Sequence, residues 1–329
     1  MSAMPGMPFE GSHAVRARSR ALAMLVAAFF VLVAIFADML ASDLPIACKT
    51  QGHVWLFPNV TQPAALTAMS REERERETTW SIRPLVSWGP QTIDERPEAV
   101  LRGPWAISGH PLGTDRSARD VFARLVHGTR SYLVFALAAV MVSLTFGVIF
   151  GGAAGMFGGA SDALVSRAVE TISAFPSLVL VLGIMAAVPR PTLTTLFGAI
   201  ALTRWPEVAR LVRAEVMRVA TRDYVMSARA LGASPMRILR KHVVPNMRGQ
   251  VTALGAFGVP AVILVEASLD FLRIGGGEGA SWGETMSEFR DAPHAWWLLA
   301  FPGALLFVMI VAMNVVGEAR RASYDPRGR

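Results

Sequence analysis

Long apolar stretches separated by polar segments run along this sequence, and their lengths predict membrane-spanning helices. About 20 apolar residues in a helix cross the hydrocarbon core of a bilayer. The first stretch has 21 residues with a single charge, Asp38, which is longer than the apolar region of a signal peptide. The pattern predicts an all-α integral membrane protein with six spans: Ala21–Ala41, Ser131–Gly155, Ile172–Val188, Thr192–Trp205, Val251–Leu272 and Trp296–Val316.

Two of these predicted spans carry features that modify a simple helix. The fourth span, Thr192–Trp205, is shorter than the usual minimum of about 17 residues, so it either ends there or runs on through Pro206 towards Leu211. The third span contains Phe175-Pro176. Because proline removes a backbone donor and disturbs the preceding turn, a kink is expected at that point.

The basic residues beside the spans predict their orientation, because Lys and Arg accumulate on the cytoplasmic side. Arginines at positions 16, 18 and 20 precede the first span, and ten Arg or Lys residues lie in the segment Arg204–Arg248. Six spans place both termini and this segment in the cytoplasm. The predicted organisation is an N-terminal tail (1–20), a first span (21–41), an external loop (42–130), a core of five spans (131–317) that contains the segment 204–248, and a C-terminal tail (318–329).

The external loop is too long to be a simple connector. Apolar residues on both sides of Gly52 predict a hairpin within Ile46–Phe57, and the alternating charges of Arg71–Glu77 predict a solvated helix face or a mobile stretch.

Glycine recurs every four residues at positions 147, 151, 155 and 159. On a helix these residues form a smooth ridge that lets a second helix approach closely. The ridge fits packing within the chain, and it also fits an interface with a second membrane subunit.

Composition supports the membrane assignment and narrows the chemistry. The 329 residues are 53% hydrophobic and 17% charged, whereas soluble domains carry about 25% charged residues. The net charge of +7 is explained by basic residues beside spans and requires no nucleic-acid partner. The single cysteine, Cys48, cannot form an intrachain disulfide, the six histidines lack metal-ligand spacing, and no phosphate-binding loop is present. No catalytic residue or metal site is predicted.

The basic segment contains two short motifs. Residues 228–233 read Ala-Arg-Ala-Leu-Gly-Ala, and residues 241–246 read Lys-His-Val-Val-Pro-Asn. These motifs resemble the cytoplasmic loop of ABC importer permeases of the dipeptide and oligopeptide type. Further similar blocks lie at His110–Val121, Phe271–Gly283 and Asn314–Pro326. In the general signature of such permeases, however, only Ala228, Gly232 and Pro245 match strictly.

The resemblance implies a short coupling helix that docks in a groove of an ATPase subunit. The residues implied in coupling are Asp223, Tyr224, Ala228, Leu231, Gly232, Ala233, Ser234 and Pro235. Asp223 is expected to cap the start of this helix, and Gly232 either to end it or to permit close backbone contact. Ala228 and Leu231 are expected to share the docking face. The alternative is a helix that lies on the membrane surface.

Three polar residues fall within predicted spans. Glu266 and Asp270 lie four residues apart in the fifth span, and Asn314 lies in the sixth. Carboxyl groups are costly in a membrane, so they are expected to face a pocket, water or a partner group. Glu266 and Asp270 either line a translocation path or form a structural tie. Asn314 is expected to make an interhelical hydrogen bond rather than bind substrate.

The function implied by the resemblance is that of a permease subunit in an ATP-driven importer, with peptides as the expected cargo. The implied partners are a second homologous permease, two cytoplasmic ATPase units that bind the ATP, an external solute-binding protein and membrane lipid. The chain itself is expected to hold no cofactor and to reside in the bacterial inner membrane. The alternatives are an importer of nickel or another small solute, and a membrane-embedded enzyme or receptor that uses Glu266, Asp270 and Asn314.

Overall fold

The computed structural model describes residues 11–275 and 279–323, and helices dominate this part of the chain. The last residues of the C-terminal tail, with Asp325 and Pro326, lie outside it, as do residues 1–10 and 276–278. The α-helices are α1 (Gly11–Ile35), α2 (Ala37–Leu40), α3 (Pro58–Thr61), α4 (Ala64–Thr67), α5 (Arg71–Glu77), α6 (Val121–Phe157), α7 (Gly159–Ser173), α8 (Ser177–Ala187), α9 (Leu193–Ala220), α10 (Asp223–Ala230), α11 (Pro235–Ile238), α12 (Val244–Asn246), α13 (Arg248–Phe271), α14 (Trp282–Glu288) and α15 (Trp297–Ser323).

Three of the described helices, α6, α13 and α15, are each long and apolar enough to cross a membrane. Helix α6 begins at Val121, ten residues before the predicted span, because the Asp120 carboxylate caps it by accepting a hydrogen bond from the Ala123 N–H. The predicted loop 42–130 therefore ends at Asp120. Helix α15 extends beyond the predicted end of the sixth span and reaches Ser323.

The first and fourth predicted spans differ in length from their helices. Helix α1 already begins in the predicted tail, its apolar part ends at Ile35, and after a break at Phe36 the chain continues as the short helix α2. Helix α9 has a Thr192 capping box at its start and continues through Pro206 to Ala220. The helix that contains the fourth predicted span thus runs on, and residues 204–220 of the predicted cytoplasmic loop 204–248 belong to it.

The third predicted span, Ile172–Val188, is wrong as a single straight helix. Helices α7 and α8 meet at an angle of 86° across a short break. The expected kink at Phe175-Pro176 is present, because Pro176 has an extended backbone and precedes the first turn of α8. Helix α8 has only 11 residues, so the pair forms either a broken span or a re-entrant element.

The glycine ridge of α6 packs against α9 within the chain. A Cβ atom at Gly147 would lie 2.3 Å from the Cβ atom of Val208, and one at Gly151 would lie 2.3 Å from the carbonyl oxygen of Ala209. Gly155 faces Val216 in the same way, whereas Gly159 lies beyond the helix in open space. Three of the four glycines therefore form a close intrachain helix contact.

The main core lies where α1, α6, α13 and α15 meet, and Trp282 of α14 fills its end. Trp282 is fully buried and donates a hydrogen bond to the carbonyl oxygen of Leu125. The Tyr132 ring packs against this indole with a centroid separation of 5.2 Å. These contacts fix residues 279–288 onto the helical bundle.

Residues 42–120, called the inserted domain below, contain a small antiparallel sheet of order β2-β1-β3. The predicted hairpin is present as β1 (Ala47–Thr50) and β2 (His53–Leu56), and its turn lies at Gln51 and Gly52. Strand β3 (Thr78–Ile82) was not predicted, so this domain departs from an all-α architecture. Arg71–Glu77 is helical, because Ser70 and Glu73 form a capping box.

Candidate functional site

The basic segment Arg204–Arg248 folds into the end of α9 followed by short helices. Val225 of α10 and Ile238 of α11 are fully buried in a cluster with Val212, Val216 and Met247. Val212 and Val216 belong to α9, and Met247 directly precedes α13. Each short helix is therefore anchored to this part of the bundle by one buried apolar side chain.

The two short helices are joined by a left-handed glycine. Gly232 has a φ of +82°, which an L side chain adopts only at a cost. Its N–H donates to the Arg229 carbonyl oxygen, and the Ala233 N–H donates to that of Ala228. This is a Schellman motif, so the predicted helix end at Gly232 is confirmed by the geometry. Ser234 then caps α11 by accepting a hydrogen bond from the Arg237 N–H.

The outer face of this segment exposes apolar side chains among basic ones. Leu231 is 89% exposed, and Tyr224, Met226 and Met236 are also exposed. Exposed large apolar side chains that cluster beside polar groups are typical of protein interaction sites. Pro235 occupies the first turn of α11 and directly precedes the exposed Met236.

One detail of the predicted coupling helix is wrong. Arg222 rather than Asp223 occupies the position before α10, and Asp223 lies in the first helical turn without a capping hydrogen bond. In the first turn, the negative charge of Asp223 still interacts favourably with the positive end of the helix dipole. Ala228 is half-buried and Leu231 is exposed, and the docking face expected to include both residues stays a prediction.

A second polar cluster lies at the other end of the helical bundle. The Asp270 carboxylate accepts hydrogen bonds from the hydroxyl groups of Tyr132, at 3.1 Å, and Ser281, at 2.5 Å. Glu266 lies one turn earlier on α13 and is 5% exposed. Its Oε2 atom has no hydrogen-bond partner among the described residues. Asp270 is therefore part of a structural tie that joins α13 to α6 and to the residue before α14.

Asn314 does not make the interhelical hydrogen bond predicted for it. Its side-chain amide donates to the Ile310 carbonyl oxygen, 3.0 Å away in the same helix. The side chain faces outward from α15. The structure therefore separates Asn314 from the Glu266–Asp270 cluster on α13.

An ionic network connects the inserted domain to α14. Arg119 contacts both Asp115, at 2.7 Å, and Glu288, at 3.2 Å. Arg124 is fully buried and pairs with Glu284 at 2.7 Å. Burial raises the pKa of Glu288, and Asp115 adds to the increase. The motif His110–Val121 thus packs against the segment that follows α13, a contact that sequence spacing did not reveal.

His110 lies at the centre of the inserted domain. Its Nδ1 atom is 2.8 Å from Asp120 and its Nε2 atom is 3.0 Å from Asp94, while the ring stacks on Trp88. Burial raises the pKa of Asp94, but hydrogen bonds from Arg96 outweigh it and lower the value from 3.8 to about 2. For Asp120, burial dominates and raises the pKa. Within the described residues, no group of three His, Cys, Asp or Glu side chains could hold a metal ion.

The long apolar helices and the bent helix pair define a multi-span membrane protein. The family model described as "Binding-protein-dependent transport system inner membrane component" matches residues 129–329, and the chain belongs to this family. The family resemblance seen in the basic segment is thereby confirmed. The chain is a permease subunit of an ABC importer, not an enzyme, and its family implies ATPase and solute-binding partners.

Curated relatives agree with this assignment. The chain is 35% identical over 222 residues to the oligopeptide transport system permease protein OppC of Bacillus subtilis, covering 67% of this chain and 72% of the relative. It is 34% identical over 218 residues to the di/tripeptide transport system permease protein DppC of Pseudomonas aeruginosa, covering 66% and 72%. A solved structure of the MetNI methionine ABC transporter aligns with a TM-score of 0.49 and 18% identity, covering 62% of this chain and 97% of that one.

Proposed function

We propose that this permease imports peptides across the bacterial inner membrane and receives the force of ATP hydrolysis through α10 and α11. The relatives named for oligopeptides and di/tripeptides support peptides as the cargo rather than nickel or another small solute. A second homologous permease completes the pathway, and two ATPase units bind the ATP. An external binding protein delivers the cargo.

The proposed topology places both termini and the basic segment in the cytoplasm and the inserted domain outside. The cluster of arginines in the segment supports this orientation, because basic residues accumulate on the cytoplasmic side of spans. The inserted domain also carries arginines, but the charge rule applies weakly to long translocated segments.

The observation that carries the coupling proposal is the two-sided construction of α10 and α11. Val225 of α10 and Ile238 of α11 are buried in the cluster with residues of the long helices. Leu231, which lies between α10 and α11, is almost fully exposed. A partner that contacts Leu231 therefore pushes on elements already packed against α9. Rigid-body transfer of this kind is how closure of one domain moves another.

Replacement of Leu231 by serine tests the proposal. The variant should insert and fold normally, because the side chain is exposed and has little packing to lose. Removal of an apolar anchor from an interface typically costs about 1 kcal/mol or more, so ATPase retention on co-purification should fall roughly fivefold or more. Uptake of trialanine into vesicles that contain the complete complex should fall in parallel.

Leu85→Ser is the matched control, because Leu85 is 76% exposed but lies in the inserted domain. That variant should retain the ATPases. Equal ATPase retention by the Leu231→Ser variant and the unsubstituted chain would contradict the coupling assignment. Uptake of Ni²⁺ but not trialanine by the intact complex would instead contradict the proposed cargo.

A further inference from the structure

Two cavities at the inserted-domain end of the bundle share lining residues. The outer cavity has a volume of about 660 Å³ and is lined by charged residues that include Arg116, Arg273 and Glu288. The inner cavity has a volume of about 480 Å³ and lies between α6, α9, α13 and residues 279–281. Asp270 and Ser281 line both cavities. A polar vestibule therefore adjoins a deeper chamber at these two side chains.

The inner cavity combines apolar walls with two carboxyl groups. Its walls include Val134, Phe135, Leu193 and Phe197, and its acidic residues are Glu266 and Asp270. Arg130 also lines it, but that guanidinium donates to the Ala34 carbonyl oxygen and pairs with Asp38 at 2.8 Å. The positive charge of Arg130 is thus already paired with Asp38. Glu266 and Asp270 are then the charged groups of the cavity that a ligand would meet.

Glu266 is the residue that lacks such a match. It is only 5% exposed, lines the inner cavity, and has an oxygen, Oε2, without a hydrogen-bond donor in the described part of the chain. A buried carboxyl group without a partner is costly, and intramembrane carboxyl groups mark functional sites. A ligand that supplies N–H donors and positive charge would satisfy Glu266 beside Asp270, which lines the same cavity.

We propose that Glu266, together with Asp270, binds an ammonium group of the cargo while the apolar walls contact the adjoining side chain. An ammonium group carries three donors and a compact positive charge, which fits two carboxyl groups one helical turn apart. The N-terminal residue of a peptide has this chemistry. The inference rests on the proposed peptide function and adds a cargo contact within the permease itself.

The test measures ligand protection of a cysteine placed in the cavity. Ala138 lines the chamber and is exposed, so an Ala138→Cys, Cys48→Ser chain in its co-purified complex reports occupancy through the rate of maleimide labelling. No binding protein is added, because that protein has its own peptide specificity. Leucinamide should slow labelling, whereas N-acetyl-leucinamide, which has no ammonium group, should not.

Glu266→Gln should raise the leucinamide concentration needed for half-protection by about tenfold or more, since loss of one member of a buried charged pair is costly. Glu170→Gln is the control, because Glu170 is an exposed carboxylate on α7 that pairs with Arg167. It should leave the protection unchanged. The comparison of the two probes in the parent protein does not depend on the folding of the Glu266 variant.

Equal protection by leucinamide and its acetylated form overturns the ammonium site, as does unchanged protection in a folded Glu266→Gln variant. Failure of the introduced thiol of the Ala138→Cys chain to react without ligand also overturns it, because the cavity would then be closed in the complex. ATP-driven uptake of trialanine by the same complex is measured separately. If uptake persists while protection fails, the peptide-importer function stands and only the cavity assignment is lost.

Discussion

Gly151 and Gly152 are adjacent residues of α6 that face different neighbours, and they should respond oppositely to alanine. A Cβ atom at Gly151 would lie 2.3 Å from the Ala209 carbonyl oxygen and 2.8 Å from its Cα atom. At Gly152 the nearest atoms are the Leu239 methyl groups at 3.5 Å. One substitution meets the backbone of another helix, and the other meets flexible side-chain ends at ordinary contact distance.

The size of the effect follows from these distances. Ordinary contact begins at 3.4 Å, so α6 and α9 must separate by about 3.4 − 2.3 = 1.1 Å to accept Gly151→Ala. Overpacking of this kind costs about 1–3 kcal/mol. Alanine also favours a helix over glycine by about 0.8–1.0 kcal/mol. Both variants gain the higher helix propensity of alanine, but only Gly151→Ala also has the overpacking cost. The two variants should therefore differ in stability by about 1–3 kcal/mol, with Gly151→Ala less stable.

Reversible unfolding in mixed detergent micelles measures this difference, with the parent chain as the reference. A thermal scan should show the midpoint of Gly151→Ala roughly 2–4 °C lower than that of Gly152→Ala for each kcal/mol. Equal midpoints for the two variants would refute the reasoning, because they would show that α6 and α9 are not in backbone contact in the membrane protein.

Two further predictions concern the ends of the molecule. In a Cys48→Ser background, a cysteine at Arg237 should resist an impermeant maleimide added to intact cells, whereas one at Trp105 should react; labelling at position 237 would reverse the proposed orientation. The folded-state pKa of Asp94 lies below its value of 3.8 in the absence of interactions, so its contribution to stability is complete above that pH and is lost as pH falls towards about 2. Protease resistance of the inserted domain should therefore decrease across this window, and Asp94→Asn should remove that part of the decrease, which amounts to at most about 2 kcal/mol.

The sequence correctly predicted those elements that are determined by short stretches of the chain. Apolar length located α6, α13 and α15. Gly232 was correctly predicted to end α10, because only a residue that tolerates positive φ fits the Schellman position.

The sequence could not predict features that depend on distant contacts. Strand β3 pairs with β1 across about thirty intervening residues, and short strands carry weak local signals. Asp223 is the first residue of α10, whereas the sequence placed it directly before the helix. A difference of one residue is within the usual uncertainty of helix ends. The packing of Arg119 and Arg124 against α14 joins residues more than 150 positions apart, so no spacing rule reveals it.

The two proposed sites are linked by the same helices. Helix α9 contributes Leu193 and Phe197 to the inner cavity and, at its other end, Val212 and Val216 to the cluster that buries Val225. Its 28 residues span roughly 42 Å as a helix. The glycine contact with α6 holds this rod against the bundle between the two ends. If a closing ATPase displaces α10, as proposed, α9 would carry that displacement to the wall of the cavity that Glu266 also lines. Nucleotide-driven motion would then be coupled to release of the proposed ammonium ligand.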